Sequence, residues 1–197
     1  MSYDIDLVNR KTRETVSMNR PQFIRGGTVP AVLDEATGRL VQTTQCDASI
    51  NITYNYSSYF YGATEGDKRF AHKDSDGEVE YGIRGLYGKS ALESIPMLKD
   101  MIARITEKYQ DKDGNWLVTE RKKPHYFDKN GNEIADPIRG ILHGEDYEVK
   151  EEVYEVSEGD TSNYWEATAG NAIESLWNMI FIATDQMMNE DVVWDGD

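Results

Sequence analysis

The segment Tyr164-Trp165-Glu166-Ala167-Thr168-Ala169-Gly170-Asn171-Ala172-Ile173-Glu174-Ser175-Leu176-Trp177-Asn178-Met179-Ile180-Phe181-Ile182-Ala183-Thr184-Asp185-Gln186-Met187-Met188 reads as the central helix of an α+β core. Trp165, Ala169, Ala172, Ile173, Leu176, Trp177, Ile180, Phe181, Thr184 and Met187 recur at spacings of three and four, which makes a wide apolar stripe. Asn163 and Glu166 stand at capping-box spacing and place the start near 164. Leu176 and Trp177 are both expected in the core.

A second helix is expected from Leu92, Ile95, Leu98, Met101, Ile102 and Ile105. Ser90 with Glu93 forms a candidate capping box, and Pro96 moves the expected regular start to Ser94, with Pro96 in the first turn. The first 60 residues read as strands. Tyr3 to Val8 alternates, and Ala31-Val32-Leu33 and Arg39-Leu40-Val41 flank a turn as a hairpin. From Ser49 to Tyr56, Ile50, Ile52, Tyr54 and Tyr56 fall on one face of a strand. The expected fold is an antiparallel sheet packed on two main helices. A β-hairpin insertion is expected between the helices.

Three units follow. Residues 1–109 hold the sheet and first helix, 110–160 an acidic β-rich insertion, and 161–197 the core helix and an acidic tail. Inside the insertion, His125-Tyr126-Phe127 and Glu133-Ile134 read as hairpin arms, and Tyr147 to Val156 as a further strand.

Charge is concentrated at one end. Residues 144–197 carry 15 acidic side chains and one basic one, Lys150, in a chain of 197 residues and net charge −15. Such an end repels phosphate backbones and attracts basic surfaces, so direct nucleic-acid binding is not expected and a basic protein partner is. One cysteine, Cys46, permits no internal disulfide and fits a reducing compartment. The Met1–Asp6 start is acidic and does not read as a signal peptide. No stretch approaches the roughly 20 apolar residues of a membrane span. A cytoplasmic protein is expected, with a homodimer left open.

No catalytic or cofactor motif assembles. Asp74–Glu78, Asp111–Asn115 and Asp128–Asn132 resemble calcium strings, but position 6 of a loop starting at Asp111 is Trp116, and at Asp128 it is Glu133. Gly after Asp or Asn in each string is turn chemistry. His72, His125 and His143 have no metal-ligand spacing, and Cys46 has no dyad signature. No metal, no cofactor and no enzyme activity are expected.

Two binding surfaces are candidates. The acidic run offers Glu145, Asp146, Glu148, Glu151, Glu152, Glu155, Glu158 and Asp160 to a partner. As a strand, alternate carboxylates would lie roughly 6.6–6.8 Å apart, close to the phosphate repeat, so the run could mimic DNA. The competing reading is a solvated edge that discourages strand pairing. The other surface joins Arg25, Gly26 and Gly27 to the aromatic residues Tyr54, Tyr56 and Tyr59 as a small-molecule or nucleotide pocket. Core packing is the alternative use of those aromatics.

Several blocks resemble a group of small uncharacterised acidic proteins of bacteriophages and gut bacteria. They are Tyr3-Asp4-Ile5-Asp6-Leu7, Arg25-Gly26-Gly27-Thr28, Asn51-Ile52-Thr53-Tyr54-Asn55-Tyr56, Gly82-Ile83-Arg84-Gly85-Leu86-Tyr87-Gly88-Lys89, Tyr164-Trp165-Glu166-Ala167-Thr168 and Trp194-Asp195-Gly196-Asp197. The resemblance implies a mobile-element origin and a bacterial host cytoplasm. By class it points to inhibitors of host defence, including anti-CRISPR proteins. The expected function is therefore a non-enzymatic inhibitor that binds a basic, nucleic-acid-binding host protein. A nucleotide-sequestering protein is the alternative.

Overall fold

Alternation of apolar and polar side chains in two short segments, residues 3–7 and 49–53, builds two of the three strands of the central sheet. The computed structural model of the chain describes residues 2–20, 31–42, 46–74, 76–134 and 147–196, with the backbone alone for 31–34 and 40–42. In chain order the elements are β1 (Ser2–Asn9), β2 (Ala31–Asp34), β3 (Arg39–Gln42), β4 (Ser49–Thr53) and α1 (Ser57–Thr64). Next come β5 (His72–Lys73), β6 (Val79–Glu80), α2 (Ala91–Tyr109), β7 (Val118–Asp128) and β8 (Glu133–Ile134). The last are β9 (Tyr147–Ser157), α3 (Ala169–Gln186) and β10 (Val192–Gly196). The paired strands described are antiparallel, and the fold class is α+β as expected.

The main sheet has the order β10-β1-β4. Leu7 lies opposite Trp194, Ile5 opposite Ile50, and Tyr3 opposite Ile52, so one face is apolar. The other face carries Asp4, Asp6, Ser49, Asn51 and Asp195, the half-solvated pattern of an antiparallel sheet. The apolar face packs in one cluster with Leu98, Met101 and Ile105 of α2 and with Leu176, Met179 and Ile182 of α3.

Four expectations are corrected here. First, residues 192–196, read as part of an acidic tail, form β10, and Trp194 is fully buried with its indole N–H donating to Ser94 Oγ at 2.7 Å. Second, the strand at 49–56 stops at Thr53, whose hydroxyl accepts from Asn55 N, and Tyr54–Tyr56 is a 3-10 turn leading into α1. Tyr56, Tyr59, Phe60 and Ala63 then share a buried side at helical spacing.

Third, α2 begins at Ala91. The full capping box of Ser90 and Glu93 fixes that start and leaves Pro96 in the second turn, at the loss of one ladder bond. Fourth, α3 begins at Ala169. Thr168 is its N-cap and accepts from Asn171 N, while Asn163 Oδ1 accepts from Trp165 N in a local turn. Trp165 is exposed, and Trp177 is 50% exposed although it belongs to the expected apolar stripe. Ala169, Ala172, Leu176 and Ile180 of that stripe are buried, and the buried face also takes in Met179, Ile182 and Ala183.

The three Asp-Gly strings are turns. Asp111 Oδ1 accepts from Asp113 N and Asn115 N, and Asp128 Oδ1 from Asn130 N and Asn132 N. Asp74 Oδ1 does the same for Asp76 N and Glu78 N. Gly114 and Gly131 take φ of 84° and 81°, a region that L side chains rarely adopt. Among the described residues no helix is long and apolar enough to cross a membrane.

Candidate functional site

Residues 118–157 contain a second sheet of order β8-β7-β9, in which β7 and β9 pair along 11 residues each. At roughly 3.4 Å per residue that ribbon is about 37 Å long. Glu158 N donates to Leu117 O, which sets the phase of the ladder. Pro124, opposite Glu151, then falls at a non-hydrogen-bonded pair, so its missing N–H costs the β7–β9 ladder nothing.

Register divides the ribbon into two faces. One carries Thr119, Arg121, Lys123, His125 and Phe127 with Val156, Tyr154, Glu152, Lys150 and Glu148. The other carries Val118, Glu120, Lys122, Pro124 and Tyr126 with Ser157, Glu155, Val153, Glu151 and Val149. Among the described residues the ribbon is anchored in the core at its foot, where Val156 is buried. From Glu148 to Val153 every residue of β9 is exposed, and Val149 and Val153 are 48% and 56% exposed.

The anchor is a buried charge. Glu158 is 1% exposed and accepts from Tyr59 Oη at 2.7 Å, Thr119 Oγ1 at 2.8 Å, Arg121 Nη2 at 2.8 Å and Ala169 N at 3.0 Å. These donors come from α1, β7 and the first turn of α3. A buried carboxylate at a helix N-terminus, with a guanidinium beside it, has its charge compensated. Burial and then the Glu158 carboxylate hold the Tyr59 phenol well above its ordinary value. Tyr59, Thr119, Ala169 and Arg121 Nη2 all donate to Glu158, while Arg121 Nε is buried without a hydrogen bond, and the cluster ties the ribbon to the helical core.

Four of the eight expected partner-binding residues, Glu148, Glu151, Glu152 and Glu155, lie on this ribbon. Glu151 pairs with Lys122 at 2.7 Å, Glu152 faces His125 Nε2 at 2.9 Å, and Glu148 lies 3.8 Å from Lys150. Asp160 is exposed and caps a local turn by accepting from Ser162 N. Glu158 is inside the protein, which corrects its placement on the surface. Glu145 and Asp146 lie outside the described residues.

The expected ladder of alternate carboxylates is also corrected. Lys150 and Val153 occupy the intervening positions, so Glu148 and Glu152 share one face and Glu151 and Glu155 the other. Same-face carboxylates are four residues apart, about 13 Å, twice the spacing a phosphate mimic needs.

One pair departs from this neutralised pattern. Glu120 and Glu155 stand directly opposite each other, both exposed, and no ion pair joins either to a cation among the described residues. Like charges in that position destabilise a ribbon. Neither Glu120 nor the basic run Arg121-Lys122-Lys123 was singled out from sequence. Basic residues at 121–125 and acidic ones at 148–158, separated by turn strings, were the available signal for two paired strands of opposite charge.

The alternative pocket does not assemble around its aromatics. Tyr56 and Tyr59 are buried, Tyr56 Oη donates to Tyr164 O, and Tyr59 belongs to the Glu158 cluster. Tyr54 accepts from Arg84 Nη2 at 2.9 Å and packs edge-on to Tyr3. Arg25, Gly26 and Gly27 lie outside the described residues.

Comparison with protein-family models, with curated proteins and with solved structures matched nothing.

Proposed function

We propose that the protein is a non-enzymatic inhibitor or adaptor that docks a basic protein through the β7–β9 ribbon. The resemblance to phage proteins supports placing it in the bacterial cytoplasm. There an anti-CRISPR-like blocker of a nucleic-acid-binding host protein is the concrete form. The observation that carries the reading is the Glu120–Glu155 pair, flanked on the same exposed face by Val118, Val153 and Val149. Opposed carboxylates cost the isolated ribbon stability, and the valines beside them are left in water. A partner that inserts a Lys or Arg between them and covers the valines relieves both. The acidic surface elsewhere on 144–197 supplies steering.

The test is Glu155→Lys. It places opposite charges across the ribbon, which should stabilise it by about 0.2–1 kcal/mol. Capture of a basic protein from bacterial lysate should nevertheless weaken, and wild-type capture should fade as salt rises. A variant that captures the same protein as well as wild type does, or a captured protein that is acidic and insensitive to salt, overturns the proposal.

A further inference from the structure

In a chain with 36 acidic and 21 basic side chains, one groove gathers cations. It lies between the β5–β6 hairpin and the 3-10 turn Ile83–Leu86, and its volume is about 790 Å³. Lys68, His72, Lys73, Arg84, Tyr87 and Lys89 line it. Two carboxylates, Asp74 and Glu80, also line it, against the cationic Lys68, Arg69, Lys73, Arg84 and Lys89. Asp74 caps its own turn through Asp76 N and Glu78 N, and Glu80 lies beside His72. Arg69 also reaches the groove, but its guanidinium is held by Asp67 and Asp100. Lys68 and Lys73 make no ion pair with any described residue and are exposed.

Two further observations point to a ligand. The Arg84 guanidinium is fixed before anything binds. It lies over the ring of Tyr3 at 5.3 Å and that of Tyr54 at 5.9 Å, and it donates to Tyr54 Oη. His72 has both ring nitrogens buried with no hydrogen bond; Nε2 lies 3.3 Å from Glu80 Oε2, and Nδ1 has no such neighbour among the ion pairs of the described residues. Buried polar atoms without partners are uncommon, and an anion accepting from this imidazole would satisfy one. The walls are tied to the core. Gly85 sits directly on the backbone of Phe70, where a Cβ would not fit, and Trp194 N donates to Lys89 O at 2.9 Å, which ties the rim to β10.

We propose that this groove binds a small polyphosphate anion, either the di- or triphosphate of a nucleotide or inorganic pyrophosphate. A planar guanidinium with flanking lysines matches phosphate oxygens. A cleft with low-dielectric walls focuses the field of its cations. The volume is in the range of small-molecule sites. A polymeric nucleic acid would extend past the groove onto a surface of net charge −15, so a compact anion is favoured.

Thermal shift and calorimetry on the whole chain, at low salt and without divalent metal, test this with pyrophosphate, ADP, adenosine and a single-stranded oligonucleotide. Saturating pyrophosphate or ADP should raise Tm by about 2–4 °C, and adenosine should not. Equal affinity for both means that the phosphates alone are read. A preference for ADP means that Tyr87 or a neighbour also reads the nucleoside. Lys68→Glu with Lys73→Glu removes two exposed cations without disturbing the core. That variant should keep the wild-type Tm when unliganded and lose at least about tenfold in affinity. Four outcomes overturn the proposal: no response to pyrophosphate and ADP, adenosine matching ADP, undiminished binding by the double variant, or an oligonucleotide that binds more tightly than ADP.

Discussion

Arg121 on β7 and Glu158 just past β9 meet at 2.8 Å inside the foot of the ribbon, where Glu158 also accepts the first N–H of α3. The pair joins the second sheet to the helical core. Arg121→Met leaves a buried carboxylate with its neutral donors and no cation. The expected loss of stability is about 2–4 kcal/mol, below the full range for such breaks because Arg121 keeps a third of its side chain in water. Arg121→Met with Glu158→Gln should recover part of that loss, as a double-mutant cycle in chemical denaturation would show. A double variant as unstable as the sum of the two singles would mean that the residues act separately.

Leu176 and Trp177 are neighbours in sequence with opposite surroundings. Leu176 is fully buried and Trp177 is half exposed. Leu176→Ala should therefore cost about 2–5 kcal/mol. Trp177→Ala should cost under about 1 kcal/mol, as expected for a surface substitution. Urea unfolding of the two variants measures the contrast. Equal losses would contradict the orientation of α3.

Much of the fold was legible where local pattern decides it. Ile5, Leu7, Ile50 and Ile52 alternate, and Ser90 with Glu93 marks the start of α2 as a reciprocal cap. What escaped depended on distant contacts. Val192-Val193-Trp194 is too short to declare itself a strand, and only pairing with β1 makes it one. The apolar stripe of α3 is wider than the surface available to bury it, so Trp177 is left outside while Trp194 enters the core. At the candidate site, the extent of β9 was readable, but its register against β7 was not. That register decides that Glu151 and Glu152 meet cations, that Glu155 meets Glu120, and that Glu158 turns inward.

The capping box gives a smaller test. Ser90 N donates to Glu93 Oε2 at 2.9 Å and Glu93 N to Ser90 Oγ at 3.3 Å. The Ser90 backbone N–H first, and then the Ser90 hydroxyl, which donates to Glu93 Oε2 at 2.8 Å, hold the Glu93 carboxyl below its ordinary value. Ser90→Ala should cost about 0.5–2 kcal/mol at neutral pH. A depressed carboxyl stabilises the fold above its unfolded value and loses that contribution as pH falls through the folded one. The difference between wild type and Ser90→Ala should therefore narrow on acidification. A constant difference down to acid would mean that the hydroxyl acts only by accepting from Glu93 N and not by donating to the carboxylate.

The tip of the ribbon contains a proton-dependent clasp. His125 Nδ1 lies 2.6 Å from Glu133 Oε1 on β8, and Nε2 lies 2.9 Å from Glu152 Oε2 on β9. A neutral imidazole has one donor and one acceptor, so it can satisfy only one of two carboxylates, whereas the imidazolium satisfies both. Hydrogen bonding to Glu133 first, then to Glu152, accordingly raises His125 above its ordinary 6.5. A raised histidine contributes stability that is complete below the unfolded value and is lost as pH climbs through the folded one. Amide exchange at β8 and at residues 147–152 should therefore accelerate as pH rises past that point, beyond the intrinsic base catalysis measured in His125→Gln. Glu133→Gln should bring the His125 titration, followed by NMR, back toward 6.5, and Glu152→Gln should do so to a lesser degree. A His125 that titrates at its ordinary value in the wild type would show that the two carboxylates do not clasp it in solution.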